Sequence, residues 1–311
     1  MVVDVIIPTY KPDERLFELV DKLRNQTKKP ARIILMNTEQ KYIENLTRGR
    51  RYESFMKEVE IRNVSAWEFD HGKTRNEGAK DSNADVLIFM TQDAVPEDET
   101  LFEKLLLPLR NGEAEVSYAR QIPREDASLA ERFSREFNYP DKSVVKSAAD
   151  LETMGIKAFF CSNACAAYRR DVFEMLGKFP VNMIFNEDMV FAHKVITNGF
   201  RIAYVADAHV IHSHNYTNMQ QFHRNFDLAV SQKMHPEAFE GISSESEGIA
   251  YAKKAFKYFR EKGHPLKFFP FAITCAYRLR GYKLGKKYES LSHKKILSYT
   301  MSPRFFKKMW S

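Results

Sequence analysis

The 311-residue sequence predicts an α/β fold built on a mainly parallel central sheet with helices on both faces, followed by a helical extension. Three observations carry that expectation. Strand-length apolar runs alternate with helical patterns through the first half, as in successive βαβ units. Those runs are apolar at nearly every position, which strands covered on both faces require. Beyond residue 250 the composition changes: sixteen Lys/Arg accompany two Asp/Glu, and 14 of the 40 aromatics fall there.

Residues 2–8 form the first strand, which leaves through Pro8-Thr9-Tyr10. Pro12 suits a first helical position, and Asp13 and Glu14 complement the helix dipole. Leu16, Leu19, Val20 and Leu23 then recur at helical spacing, so a helix spans 12–25. Residues 33–36 form the second strand, with Asn37-Thr38 as its polar exit, and 59–64 a weaker third. A short helix over 73–81 is entered through Asp70-His71-Gly72. The fourth strand, 86–90, leaves through Thr91-Gln92-Asp93-Ala94. A helix with Leu101, Leu105 and Leu106 on one face follows, then a strand around 116–119. Sheets of this kind bind ligands outside the carboxyl ends of their strands, and Thr9, Asn37, Asp70 and Asp93 all fall there.

After Gln121 the pattern loosens into a surface helix over 124–138, a Tyr139-Pro140-Asp141 turn and a buried strand region over 159–168. A helix over 171–176 stops at Gly177, one over 187–198 stops at Gly199, and 201–205 and 209–212 read as two short strands. The basic tail begins beyond Ser243-Ser244-Glu245-Ser246. There Ala252, Ala255, Phe256 and Phe259 share one helical face among Lys253, Lys254, Lys257 and Arg260.

Composition excludes several classes. With 44% hydrophobic and 29% charged residues the chain can bury a core and is not globally disordered. Three cysteines cannot build a disulfide framework and fit a reducing compartment. The N-terminus has no basic flank or cleavage site of a signal peptide. The most apolar run, 268–277, includes a proline and falls well short of the roughly 20 residues that span a bilayer. The net charge of +7 divides into +14 for the tail and −7 for the remainder. A cationic, aromatic segment suits an anionic membrane surface or a nucleic acid; a solvated cationic face on a helical appendage explains it equally well.

No GxGxxG follows the first strand, and no Walker loop, HExxH or GxSxG occurs, which removes the commonest α/β enzyme classes. Several candidates remain. Asp93, at a strand exit, can hold a divalent cation against a diphosphate or simply cap the next helix. Glu187-Asp188 precede the apolar Met189, Val190 and Phe191 at a helix start, where the dipole stabilises acids and one carboxylate can serve as general base. His212-Ser213-His214 puts two imidazoles on one face of an extended segment, as metal ligands or as solvent-facing groups. Cys161 and Cys165, four apart without a second pair, read as core. Arg75, beside Asn76, carries a forked, permanently charged donor suited to phosphate.

In order and spacing, the segments VDVIIPTY, ILMNTE, FDHGKTRNEGA, VLIFMTQDAVP, SNACAAYRRDVFEMLGKF and NEDMVFAHKVITNGFRIAYVADAHVIHSH resemble a family 2 glycosyltransferase of the GT-A fold over about residues 2–216. FDHGKTRN and TQDAVP look most like bacterial rhamnosyltransferases of surface polysaccharide synthesis. The resemblance implies a GT-A catalytic domain over 1–217 and a helical, basic extension over 218–311 that meets a membrane surface or a second copy. It implies an inverting transfer of L-rhamnose from dTDP-rhamnose to a polyprenyl-diphosphate-linked saccharide. In that scheme Asp188 is the base and Glu187 its partner in the catalytic pair. Pro8, Thr9 and Tyr10 would line the nucleotide pocket, with Asn37 and Glu39 at the second strand exit. Asp70, Arg75 and Asn76 would hold the nucleotide from the other side, and Gln92 and Asp93 its diphosphate. Asn37 stands where the family usually has aspartate, and Thr91 replaces the first carboxylate of the Asp-x-Asp motif. Asp93, helped by the diphosphate and His212, is then left to hold Mn2+ or Mg2+. The implied setting is cytoplasmic and peripheral to the inner face of the cell membrane, with no nucleic-acid partner. The competing readings are a UDP-hexose transferase, a nucleotidyltransferase, and a non-enzymatic nucleic-acid-binding, membrane-binding or scaffolding relative.

Overall fold

The computed structural model describes residues 1–48, 53–239 and 245–311. The chain forms two compact units. One comprises Met1–Arg124, Tyr139–Val181 and Glu187–His212; the other comprises Glu125–Asn138, Asn182–Asn186 and Ser213–Ser311. The extension expected from residue 218 therefore gathers two earlier segments into its own unit.

The first unit holds a nine-stranded sheet of β1 (Val3–Tyr10), β2 (Arg32–Thr38), β3 (Glu60–Val64), β4 (Val86–Met90), β5 (Val95–Pro96), β6 (Val116–Ile122), β7 (Val144–Lys146), β8 (Cys165–Arg169) and β9 (Ile202–Ile211). The order is β3-β2-β1-β4-β8-β6-β9-β5, with β7 also on β9. Strands β3, β2, β1 and β4 pair in parallel, β8 runs antiparallel between β4 and β6, and β9 is parallel to β6. Six strands thus share one direction, as the apolar runs predict. The exits of β1, β2, β4, β6 and β9 consequently lie at one edge, where the antiparallel β8 begins.

Both faces are covered, which explains the continuous apolar strands. Val3, Val5 and Ile7 pack with Leu16, Leu19 and Leu23 of the Arg15–Arg24 helix, and Ile88 with Phe102 and Leu105 of the Leu101–Arg110 helix. Alternate residues serve the other face, where Phe89 meets Phe173 and Phe179 with ring centroids 5.5 and 4.9 Å apart, and Phe191 closes the cluster.

Several elements differ from expectation for local reasons. The first helix starts at Arg15, because the Asp13 carboxylate is occupied with the Arg15 backbone and guanidinium. The buried strand region of 159–168 is extended only from Cys165; a 3₁₀ turn, Gly155–Phe159, precedes it. The two short strands of 201–205 and 209–212 are one strand, β9, whose register on β6 slips between Ala119 and Arg120 to accommodate residues 206–208. The surface helix of 124–138 begins at Leu129, and the helices Gln40–Leu46 and Glu53–Glu58 had no clear apolar period.

The second unit is helical. Ala255 and Phe259 of the Glu245–Glu261 helix are buried with Phe133 and Phe271, whereas Phe256, expected on the same face, is 46% exposed. Ser243 and Ser244 lie outside the described residues. A second cluster joins Ile184, Phe226, Val230, Ile296 and Phe306. The Asn218–Met234 and Phe268–Gly285 helices approach until a Cβ on Gly281 would lie 2.2 Å from the Phe222 carbonyl oxygen, and one on Gly285 2.4 Å from that of Phe226. Asp227 accepts hydrogen bonds from the Thr300 hydroxyl at 2.6 Å and the Met301 N–H at 2.9 Å; burial pushes its carboxyl up to about 7. Among the described residues, no helix is long and apolar enough to cross a membrane. Gly281→Ala should force the two helices apart and lower stability by about 1–3 kcal/mol, read as an earlier denaturant midpoint; an unchanged midpoint contradicts the close approach.

Candidate active site

At the strand exits of the first unit, polar side chains tie the backbone into fixed positions. Thr9 and Asn37 are register partners on β1 and β2, and the Thr9 hydroxyl donates to Asn37 Oδ1 at 3.3 Å. The Asn37 amide donates to Asn63 Oδ1 at 2.7 Å and to the Glu39 carbonyl at 3.2 Å, and both Thr9 and Asn37 are buried. Glu39 follows with φ 68°, a left-handed conformation that costs about 1–3 kcal/mol without glycine; its carboxylate accepts from the Ala66 N–H at 2.6 Å. Gln92 clamps the end of β1, its Oε1 accepting from the Tyr10 N–H at 2.9 Å and its Nε2 donating to the Tyr10 carbonyl at 3.1 Å. Pro8, Tyr10, Glu39, Gln92 and Asp93 retain solvent exposure.

The FDHGKTRN segment turns inward. Asp70 caps the His71–Ala79 helix by accepting from the Lys73 N–H at 2.7 Å. Gly72 has no room for a side chain, since a Cβ would sit 1.8 Å from the Pro180 carbonyl oxygen. Asn76 exchanges two hydrogen bonds with the Phe179 backbone, at 2.9 and 3.1 Å. Arg75 pairs with Glu187 at 3.1 Å, both side chains almost fully enclosed, and donates to the His71 carbonyl at 3.0 Å. Its Nε has no hydrogen-bond partner among the described residues.

Glu187 and Asp188 open the Glu187–Thr197 helix, and the loop before β8 grips both. Asn163 donates from its side chain to Glu187 Oε1 and from its backbone to Asp188 Oδ2, each at 3.1 Å, while its own Oδ1 accepts from the Tyr168 hydroxyl at 2.8 Å. Burial opposes ionisation of Glu187, but Arg75, His71 and the Asn163 amide outweigh it and hold the carboxyl below the usual range. Asp188 moves the other way. Burial first, and the Glu187 charge second, push its carboxyl well above the usual carboxylate range against the N–H groups of Asn163 and Met189. Two adjacent acids thus hold opposite protonation tendencies, the arrangement that separates a fixed anion from a titrating base.

The same loop reaches the exit of β4. Thr91 N–H donates to the Ala164 carbonyl at 3.3 Å. Ser162 Oγ accepts from Gln121 Nε2 at 2.9 Å, and Gln121 also donates to the Tyr139 hydroxyl. The Gln121 amide is thereby oriented with its oxygen toward His212 Nδ1, 2.8 Å away, so Nδ1 carries the proton and His212 Nε2 faces Asp93 Oδ1 at 3.4 Å. An imidazole whose far nitrogen is fixed by a carbonyl acceptor, beside a carboxylate, is a donor set suited to a divalent cation. Thr91 contributes a neutral hydroxyl with no partner among the described residues. His214, the second imidazole of the sequence pair, stacks on Tyr216 within the second unit, ring centroids 4.9 Å apart.

Asn163, Ser162, Gln121 and Lys146 escaped the sequence reading. The polar Ser162-Asn163 pair just ahead of the apolar run 164–168 was the available signal for the first two. Gln121 and Lys146 carry none. Lys146 is enclosed, with Nζ donating to the carbonyls of Lys157 and Phe160 and to the Tyr118 hydroxyl, and burial lowers its pKa to about 8. It fastens the 3₁₀ turn that leads into the loop. Cys161 and Cys165 are buried core thiols, as expected, and burial raises both.

The family model described as Glycosyl transferase family 2 matches residues 4–177. The chain is 36% identical to the O-antigen chain rhamnosyltransferase RfbN of Salmonella typhimurium (strain LT2), over all of this chain and 96% of that protein. It is 34% identical to the O-antigen chain rhamnosyltransferase WbaN of Salmonella anatum, over 99% and 95% of the two chains. Among solved structures, the mannosyltransferase PcManGT of Pyrobaculum calidifontis, in complex with GDP-Man and Mn2+, superposes with a TM-score of 0.61 at 14% identity, covering 91% of this chain and 86% of that one; this likeness shows a shared GT-A fold. The sheet order, the paired acids at a helix start and a family match across more than half of the chain lead to one assignment: the protein belongs to glycosyl transferase family 2 and is a glycosyltransferase.

Proposed function

We propose that this enzyme transfers L-rhamnose from dTDP-rhamnose, with inversion, to a saccharide carried on a polyprenyl diphosphate in bacterial surface polysaccharide synthesis. The observation that carries the chemistry is the Asn163 clamp, which holds an ionised Glu187 against an Asp188 whose carboxyl titrates well above its ordinary range. The choice of sugar is supported by the two relatives named as rhamnosyltransferases along nearly their whole lengths.

Asp188 accepts the proton of the acceptor hydroxyl as that oxygen bonds to the anomeric carbon from the face opposite the leaving group. The bond from the anomeric carbon to the nucleoside diphosphate breaks in the same displacement, so the configuration inverts. A raised pKa makes Asp188 a stronger base than a solvated carboxylate once it is ionised. Glu187 stays anionic and does not exchange the proton; its partner in the pair is Arg75. Pro8, Tyr10, Glu39 and Asp93 face the donor, while Thr9, Asn37, Asp70, Arg75, Asn76 and Gln92 hold the walls in place.

Asp93 and His212 fit a divalent cation, Mn2+ or Mg2+, with the Gln121 acceptor fixing the imidazole. When bound, such a cation supplies electrostatic stabilisation of the leaving diphosphate. Because Thr91 is neutral, the site offers one carboxylate fewer than an Asp-x-Asp motif.

Asp188→Asn should keep the thermal stabilisation given by dTDP-rhamnose and lose about 10²–10⁴ in transfer rate; normal turnover contradicts the base assignment. Asp93→Ala should weaken both Mn2+ and nucleoside-diphosphate binding in calorimetry. Unchanged heats for both would remove Asp93 from the donor site.

A further inference from the structure

The Phe268–Gly285 helix is apolar on two opposite faces, and the fold covers one of them. Inward, Phe271, Gly281 and Gly285 are buried, the glycines against the Asn218–Met234 helix. At 100° per residue the outward face carries Phe269, Ala272, Ile273 and Ala276, then Arg280 and Lys283. Phe269 is 65% exposed and Ile273 53%; Leu266, in the turn just before, is 76% exposed. Phe256, on the Glu245–Glu261 helix, is also exposed and lies edge-on, at 5.2 Å, to Phe268, which is next in sequence to Phe269. Monomeric soluble proteins rarely leave such contiguous apolar surface without a use.

Charge identifies the occupant. Between residues 250 and 288 eleven Lys/Arg accompany one acid, Glu261, which itself lies 3.7 Å from Lys257. A second copy on this face would set cation against cation. An anionic bilayer accepts both features, the apolar side chains at the acyl boundary and the cations among the headgroups. We propose that Phe256, Leu266, Phe269 and Ile273 form a ridge that docks this enzyme on an anionic lipid surface. The inference deepens the lipid-linked acceptor reading and rests on it for its purpose alone. The vesicles in its test contain neither donor nor acceptor, so failure here leaves the transfer chemistry standing.

The full chain is sedimented with vesicles of pure phosphatidylcholine or of equal parts phosphatidylcholine and phosphatidylglycerol. The wild type should pellet with the mixed vesicles at low salt, return to solution at high salt, and ignore the pure ones. Leu266→Ser, Phe269→Ser and Ile273→Ser together should cut partitioning about tenfold or more while leaving the thermal midpoint and donor binding unchanged. In a Phe269→Trp variant, brominated lipid should quench fluorescence beyond the wild-type level. The proposal is overturned if the wild type does not pellet, if the triple variant partitions normally, or if Phe269→Trp is not quenched. It is equally overturned if the triple variant converts a dimer to a monomer with lipid binding intact, which would assign the ridge to a second copy.

Discussion

The candidate site depends on how one buried asparagine divides its hydrogen bonds. Asn163 gives its side-chain N–H to Glu187 and its backbone N–H to Asp188, while Tyr168 fixes the amide from behind. A buried ion pair such as Arg75–Glu187 is a poor source of stability, because desolvation offsets much of the Coulombic gain. Its use here is positional and electrostatic. It keeps a negative charge immobile beside Asp188, which adds to burial in raising that carboxyl against its N–H donors.

The loop that carries Asn163 also orders the far side of the site. Ser162 holds the Gln121 amide, Gln121 sets the His212 tautomer, and His212 faces Asp93. The sheet makes this economical, because β8 runs against β4 and so starts where β4 ends. Lys146 anchors the preceding turn from beneath through two backbone carbonyls. A shift in this loop would therefore disturb Asp188 and Asp93 together, although the two lie 95 positions apart in the chain.

Much of this was legible in the sequence, for reasons that can be named. Strands β1, β2 and β4 are covered on both faces, so their apolar runs stand out without knowledge of their partners. Asp93 and the Glu187-Asp188 pair were legible because acids next to apolar segments are rare enough to notice. Arg75 showed its charge but not its partner: a salt bridge between residues 112 positions apart leaves no local trace. Gln121 and Asn163 act through neutral amides whose meaning exists only once β6, β8 and β9 are side by side. Phe256 failed differently, since helical period marks a face as apolar without saying whether anything covers it.

The central claim is that the charge on Glu187 adds to burial in raising the Asp188 carboxyl, and the pH dependence of kcat/KM in the wild type and in Glu187→Gln tests it most directly. A base whose carboxyl is raised is inactive while protonated, so the wild-type rate should climb with pH along an acidic limb lying above the ordinary carboxylate range. Replacing Glu187 by a neutral amide removes the repulsion and leaves Arg75 positive, so Asp188 should ionise more easily and the limb should move to lower pH. A limb that stays in place, or moves to higher pH, contradicts the account.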